Sequence, residues 1–227
     1  MFNSLELTGR ASTHVCKVPK LSCTVHCGAV AELLAMHAAA REAGIELAVV
    51  SSFRDFERQL AIWNAKFEGT RELFDRDSRP LRHASLGEPE LIEAILTWSA
   101  LPGASRHHWG TDIDVIDRAA VGADYQVQLL PAEFRGAGPF ARLDAWLAGN
   151  MSRFGFFRPY ASARDGVQPE PWHLSFAPLA VPALDALTLE VLQAAVSGAP
   201  IFGREALCAR LPEIYSRYVL DVDPPGS

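Results

Sequence analysis

Residues 104–117 read ASRHHWGTDIDVID, and this stretch restricts the possible folds most. In DIDVID, alternate side chains of a strand point to opposite faces, so Asp112 and Asp114 share one face while Ile113 and Val115 bury on the other. Acids flanked by buried aliphatics are costly unless something cationic satisfies them. His107 precedes Asp114 by seven residues, across a turn that Gly110 permits. An imidazole and a carboxylate can therefore reach one metal ion. Zinc in catalytic sites takes three protein ligands and keeps a position for water, so a third ligand has to come from elsewhere. PEPWHLSF (169–176) offers His173 on a second strand, with Glu170 three residues earlier. Pro171 interrupts regular pairing, which lets Glu170 sit beside the metal and move a proton between water and a leaving amine. Singly, each segment reads as well as a solvated turn or a hydrogen-bonded core histidine. Together they supply a ligand set and a base.

The rest of the 227-residue chain reads as an ordinary globular protein: 49% hydrophobic, 21% charged, formal net charge −6. No basic stripe points to nucleic acid, and no apolar run is long enough to span a membrane. MFNSLELTGR lacks the regions of a signal peptide, which makes the cytoplasm the expected address. Accordingly, Cys16, Cys23, Cys27 and Cys208 are expected to be reduced thiols packed as small hydrophobes. Helices are predicted over 29–44, 54–69, 90–101, 140–155 and through 181–220. Strands are predicted at 45–52, 125–130 and in the segments around Phe156 and His173, with a polar surface loop over 70–89 and a frayed tail after 220. Helices and strands alternate too irregularly for a doubly wound sheet, and the pattern reads as α+β.

The motifs also carry a family resemblance. SRHHWGTDID fits S-x-H-x(6)-D, EPWH fits E-x-x-H, and SSFRDFERQ (51–59) is similar to a strand ending in S-x-[YF]-R with Gln five residues after the Arg. These three blocks resemble the zinc D-alanyl-D-alanine carboxypeptidases and dipeptidases of the VanY/VanX type, in the wider group that includes murein endopeptidases and the hedgehog domain. The resemblance implies a peptidase domain over 1–180, with core blocks at 50–176. Its small, mainly antiparallel central sheet would carry the site between flanking helices; residues 181–227, where no family pattern is recognised, are expected as a C-terminal helical extension packed on the same domain. It implies one catalytic zinc ion held by His107, Asp114 and His173, with Glu170 as general base and acid. Arg54 would stabilise the oxyanion or hold the substrate carboxylate, and Ser105 and Gln59 would line the site. Only His107 gives the family spacing to Asp114, which leaves His108 as a substrate contact. The family's usual small residue is replaced here by Asp112, expected either behind a ligating histidine or facing a substrate ammonium group.

The function implied is hydrolysis of a peptidoglycan-derived peptide, with loss of its C-terminal D-alanine. An endopeptidase or endolysin with the same site is the nearest alternative, and the cover given by loop 70–89 separates the two. A non-catalytic zinc-binding module is a further alternative, although such a module needs neither Glu170 nor Arg54. A helical interaction protein acting through 181–220 is a third, and core packing accounts for that pattern adequately. A cell-wall substrate sits uneasily with a cytoplasmic address, so a periplasmic or released lytic enzyme stays open.

Overall fold

The structure, a computed structural model, describes residues 2–226. It is α+β. Chain order runs α1 (Ser4–Leu7), β1 (Val15–Val18), β2 (Cys23–His26), α2 (Val30–Glu42), β3 (Leu47–Ser51), α3 (Phe56–Phe67), β4 (Leu73–Phe74), β5 (Pro80–Leu81) and α4 (Glu88–Trp98). It continues through β6 (Asp112–Asp117), α5 (Ala141–Asn150), β7 (Phe156–Phe157), β8 (His173–Phe176), α6 (Ala177–Ala186), α7 (Leu189–Ser197), α8 (Arg204–Ala209) and α9 (Leu211–Ile214). The central sheet has four antiparallel strands in the order β3-β6-β8-β7. β6 is wholly buried. Its Ile113 and Val115 join Leu174 of β8 in one core with Leu33 and Met36 of α2 and Leu143 and Leu147 of α5. A second core unites Trp63 of α3, Ile92 and Ile95 of α4, Leu192 and Val196 of α7, and Ile214 of α9. Burying such side chains contributes ~1.5–3 kcal/mol each.

Helix boundaries follow local chemistry. Asp55 caps α3 by accepting from the Arg58 amide at 2.8 Å, and Phe56, Leu60 and Trp63 bury along one stripe of it. Helix α5 ends sooner than the predicted 140–155, giving way to a 3-10 turn over Met151–Phe154 that Gly155 closes at φ 75°. Among the described residues, no single helix is long and apolar enough to cross a membrane.

Four expectations are corrected. Residues 125–130 form no strand, because their donors go to one side chain rather than to a ladder: Glu133 accepts from Tyr125 Oη and from the amides of Gln128 and Leu130. The loop 70–89 contains the small β4–β5 hairpin. The tail is not frayed at Asp223, which is only 5% exposed. Finally, Cys16 and Cys27 are joined in a disulfide, because the β1–β2 hairpin sets them 5.0 Å apart at Cα. Cys23, buried, and Cys208, exposed, are free thiols.

Candidate metal centre

Strand pairing sets Asp114 of β6 directly opposite His173 of β8. His107 arrives from the 3-10 turn Arg106–Trp109, which Gly110 ends at φ 65°. A side chain at Gly110 would collide with the His26 amide and with Val15, so only glycine lets this loop close against the β1–β2 hairpin. All three ligand atoms lie within 4.8 Å of one another and all three residues are buried. His107 Nε2 is 3.4 Å from Asp114 Oδ2, and His173 Nδ1 is 3.3 Å from Asp114 Oδ1. Ligands ~2.0 Å from a tetrahedral zinc ion stand about 3.3 Å apart.

Each imidazole is aimed through its other nitrogen. His107 Nδ1 donates to the Ser52 carbonyl at 3.1 Å, and His173 Nε2 donates to Asp112 Oδ1 at 2.9 Å. The remaining ring nitrogens face Asp114, whose Oδ1 is buried without a well-formed hydrogen bond. Two nitrogens and an under-satisfied carboxylate oxygen in a buried pocket match the donor set of a catalytic zinc site, and the residues fit that ion. Burial and the charge of Arg54 push His107 down to about 3, which keeps its ring neutral. Burial also opposes charge on His173, but its hydrogen bond to Asp112 and the nearby carboxylates of Asp114 and Glu170 hold it well above its ordinary value. Positive charge is favoured where its Nδ1 stands, 3.1 Å from Glu170 Oε2. Burial raises the carboxyl of Glu170 above the usual range.

The group opens on a cleft of about 350 Å³ lined by Arg54, Ser105, His107, Asp114, Glu170 and His173, with Lys66, Arg71, Trp98 and Tyr160 on its walls. Ser105 and Arg54 thus line this cleft. Arg54 is oriented by Gln59, which accepts from its Nη1 at 2.9 Å while donating to the Ala100 carbonyl at 2.8 Å. Its Nη2 stands 3.9 Å from Asp114.

Three residues expected to face substrate do not line the cleft. Gln59 is fully buried behind Arg54. His108 points away from its neighbour: Nε2 accepts from the Gly103 amide at 3.1 Å and Nδ1 donates to the Arg54 carbonyl at 2.7 Å. Asp112 takes the first of its two expected places, behind His173. Arg106 donates to it at 2.8 Å, and Thr111 and Ser175 add their hydroxyls. These donors outweigh burial and hold its carboxyl well below the usual range. The sequence reading missed Arg106, although a buried acid calls for a cation. It also missed Tyr160, whose ring centroid lies 5.1 Å from that of His173 and whose hydroxyl burial pushes up to about 12.

A buried nitrogen-and-carboxylate cradle that opens on a cleft beside a proton-hungry acid defines a metal-dependent hydrolase. Comparison with known proteins narrows the class. Residues 22–179 match the VanY family model, D-alanyl-D-alanine carboxypeptidase, and the chain belongs to that family of zinc metallopeptidases, hydrolases of peptidoglycan peptides. It is 36% identical over 126 residues to an uncharacterised protein of Haemophilus influenzae, spanning 55% of this chain and 96% of the relative. The vancomycin-resistance D,D-pentapeptidase VanY, solved with Zn(II), superposes with a TM-score of 0.54 at 21% identity, covering 86% of this chain and 90% of its own. The LD-carboxypeptidase LdcB superposes with a TM-score of 0.54 at 22% identity, covering 83% and 80%. At these identities the structural likeness is one of fold.

Proposed function

We propose that this protein is a zinc D,D-carboxypeptidase that removes the C-terminal D-alanine of peptidoglycan-derived peptides. The observation that carries the reading is the placement of Glu170. Its carboxyl, raised by burial, stands beside a ligand nitrogen and opens on the same cleft as the Arg54 guanidinium. His107, Asp114 and His173 would hold the ion. The chemistry zinc supplies there is Lewis acidity toward the scissile carbonyl and toward water.

Glu170 takes a proton from the attacking water and returns it to the departing amine, a task suited to a carboxyl whose proton affinity is raised. Arg54 faces the carbonyl oxygen and meets the negative charge that grows there, its fork held in place by Gln59. Asp112 keeps His173 in the tautomer that leaves Nδ1 for the metal. Arg71 and Phe74 of the 70–89 segment join the cleft wall, which favours a cut near a chain end. The Cys16–Cys27 disulfide favours an oxidising compartment, where cell-wall peptides lie, over the cytoplasm.

The test compares acetyl-L-Lys-D-Ala-D-Ala with acetyl-L-Lys-D-Ala, using zinc-loaded and chelated protein. Zinc-dependent D-alanine release from the first, much faster than from the second, is the expected result. Preference for the second would make the enzyme an L,D-carboxypeptidase, like one of its structural neighbours. Release from neither, with scission of intact muropeptides, would make it an endopeptidase.

A further inference from the structure

The cleft holds more positive charge than the metal group and its oxyanion require. Arg54 is already engaged, with Nη1 on Gln59 and Nη2 near Asp114. Along α3, Gln59, Ile62 and Lys66 share one helix face, and Gln59 and Lys66 lie about 10 Å apart along the axis. Ile62 and Lys66 line the cleft. Lys66 Nζ donates to Ser99 Oγ at 2.7 Å, and among the described residues no carboxylate pairs with it. Arg71 lines the same cleft, and its guanidinium has no ion pair or hydrogen bond among the described residues. Burial pushes the Lys66 amine down to about 8, with Glu170 resisting and Arg71 and Arg54 adding to the fall. The segment carrying Arg71 is pinned in place: Trp98 Nε1 donates to the Asp75 carbonyl at 3.0 Å, and His83 Nε2 to the Phe67 carbonyl at 2.7 Å.

A half-buried ammonium that no carboxylate pairs with is suited to receive one from a substrate. A wall built from a fixed segment suits a chain terminus, and its cations suit a terminus that is negative. We propose that Lys66, with Arg71 beside it, binds the C-terminal carboxylate of the substrate, leaving Arg54 to the carbonyl oxygen. The inference rests on the carboxypeptidase reading and adds the residue that selects for a chain end. Ser99 acts by holding the ammonium in position.

The test joins kinetics to binding. The protein, Lys66→Met and Lys66→Arg are assayed on acetyl-L-Lys-D-Ala-D-Ala. In parallel, zinc-loaded Glu170→Gln, with and without Lys66→Met, is titrated calorimetrically with that peptide and its C-terminal amide. A charged hydrogen bond corresponds to roughly tenfold or more in affinity. Lys66→Met should raise KM by about that factor with kcat little changed, Lys66→Arg should recover part of the loss, and the acid should bind about tenfold more weakly while the amide is unaffected. Equal weakening of acid and amide, or no weakening of the acid, would overturn the inference, and D-alanine release by the unaltered protein would then leave the reaction reading standing. If the unaltered protein releases no D-alanine, yet acid is preferred to amide and Lys66→Met abolishes the preference, the pocket stands and the reaction reading falls.

Discussion

Asp112 and Asp114 sit two positions apart on one strand, on the same face, yet their tasks separate completely. Asp114 faces the metal position, while Asp112 faces Arg106, Ser175 and the far nitrogen of His173. Replacing Asp112 by Asn should weaken zinc binding by ~10–100-fold, read by competition with a chromogenic chelator. It should also cost about 3 kcal/mol of stability, because Arg106 loses its buried counter-charge. Glu170→Gln should behave in the opposite way, keeping one zinc per chain while kcat falls by roughly 10²–10⁴. Zinc loss in that variant would count against its place as proton carrier. The ligands were legible because metal chemistry admits few residue types, and those types stood at telling spacings. Arg106 and Lys66 were not, since a cation in a turn or on a helix reads as solvated until the fold shows what covers it. Gln59 and His108 were placed one layer too far out: sequence brought them to the site but could not say which way they turn.

Among elements, the best-read are those with strong local signals. α2, α3, α4 and β6 fall within two or three residues of expectation: α2 through a run of strong helix formers ending at Gly44, α3 through its apolar stripe, α4 through the stop at Pro102-Gly103, and β6 through its alternation. The segment 125–130 alternates like a strand yet takes its order from Glu133, a partner just outside the segment that caps the turn Pro131–Phe134. The N-terminal hairpin was invisible for a different reason. Its strands are four residues each, and its meaning lies in what it touches. The His26 amide donates to Gly110, the Phe53 amide to Thr24, and His14 Nε2 to the carbonyl of His108, so the hairpin braces the loop that carries His107. The Cys16–Cys27 bond closes that brace. For a loop of this size, reduction should lower unfolding free energy by ~2–3 kcal/mol, seen as a drop in the urea midpoint of the reduced protein. A Cys16→Ala/Cys27→Ala variant should show the same drop and no response to reductant.

Across the whole molecule, the C-terminal helices share a core with α3 and α4, and the last turns return to the site's own segment. Asp223 accepts from the amides of Ala161 and Ser162, from the Ser162 hydroxyl and from Arg164. Those donors prevail over burial and hold its carboxyl at about 2. Because the folded value lies below the unfolded one, the stabilisation is present above pH ~4 and fades as pH falls through about 2. It amounts to about 2 kcal/mol. Urea midpoints of the protein and of Asp223→Asn, followed from pH 5 to 2, should converge; a gap constant across that range would show that the latch carries no proton linkage. A seven-residue tail with two prolines gives no pattern to say that one of its acids is seated, which is why it read as loose. The cations gathered in the cleft have a last consequence at this scale. The chain as a whole is formally −6, so an anionic peptide is repelled at a distance and drawn in only near the mouth. Dissolved salt shortens both reaches, with a Debye length of ~30 Å at 0.01 M falling to ~8 Å at 0.15 M. As ionic strength rises from very low values, kcat/KM should first climb, as the distant repulsion is screened, and then decline as the local attraction goes too. Capture of an anionic substrate would thus be most efficient at an intermediate ionic strength.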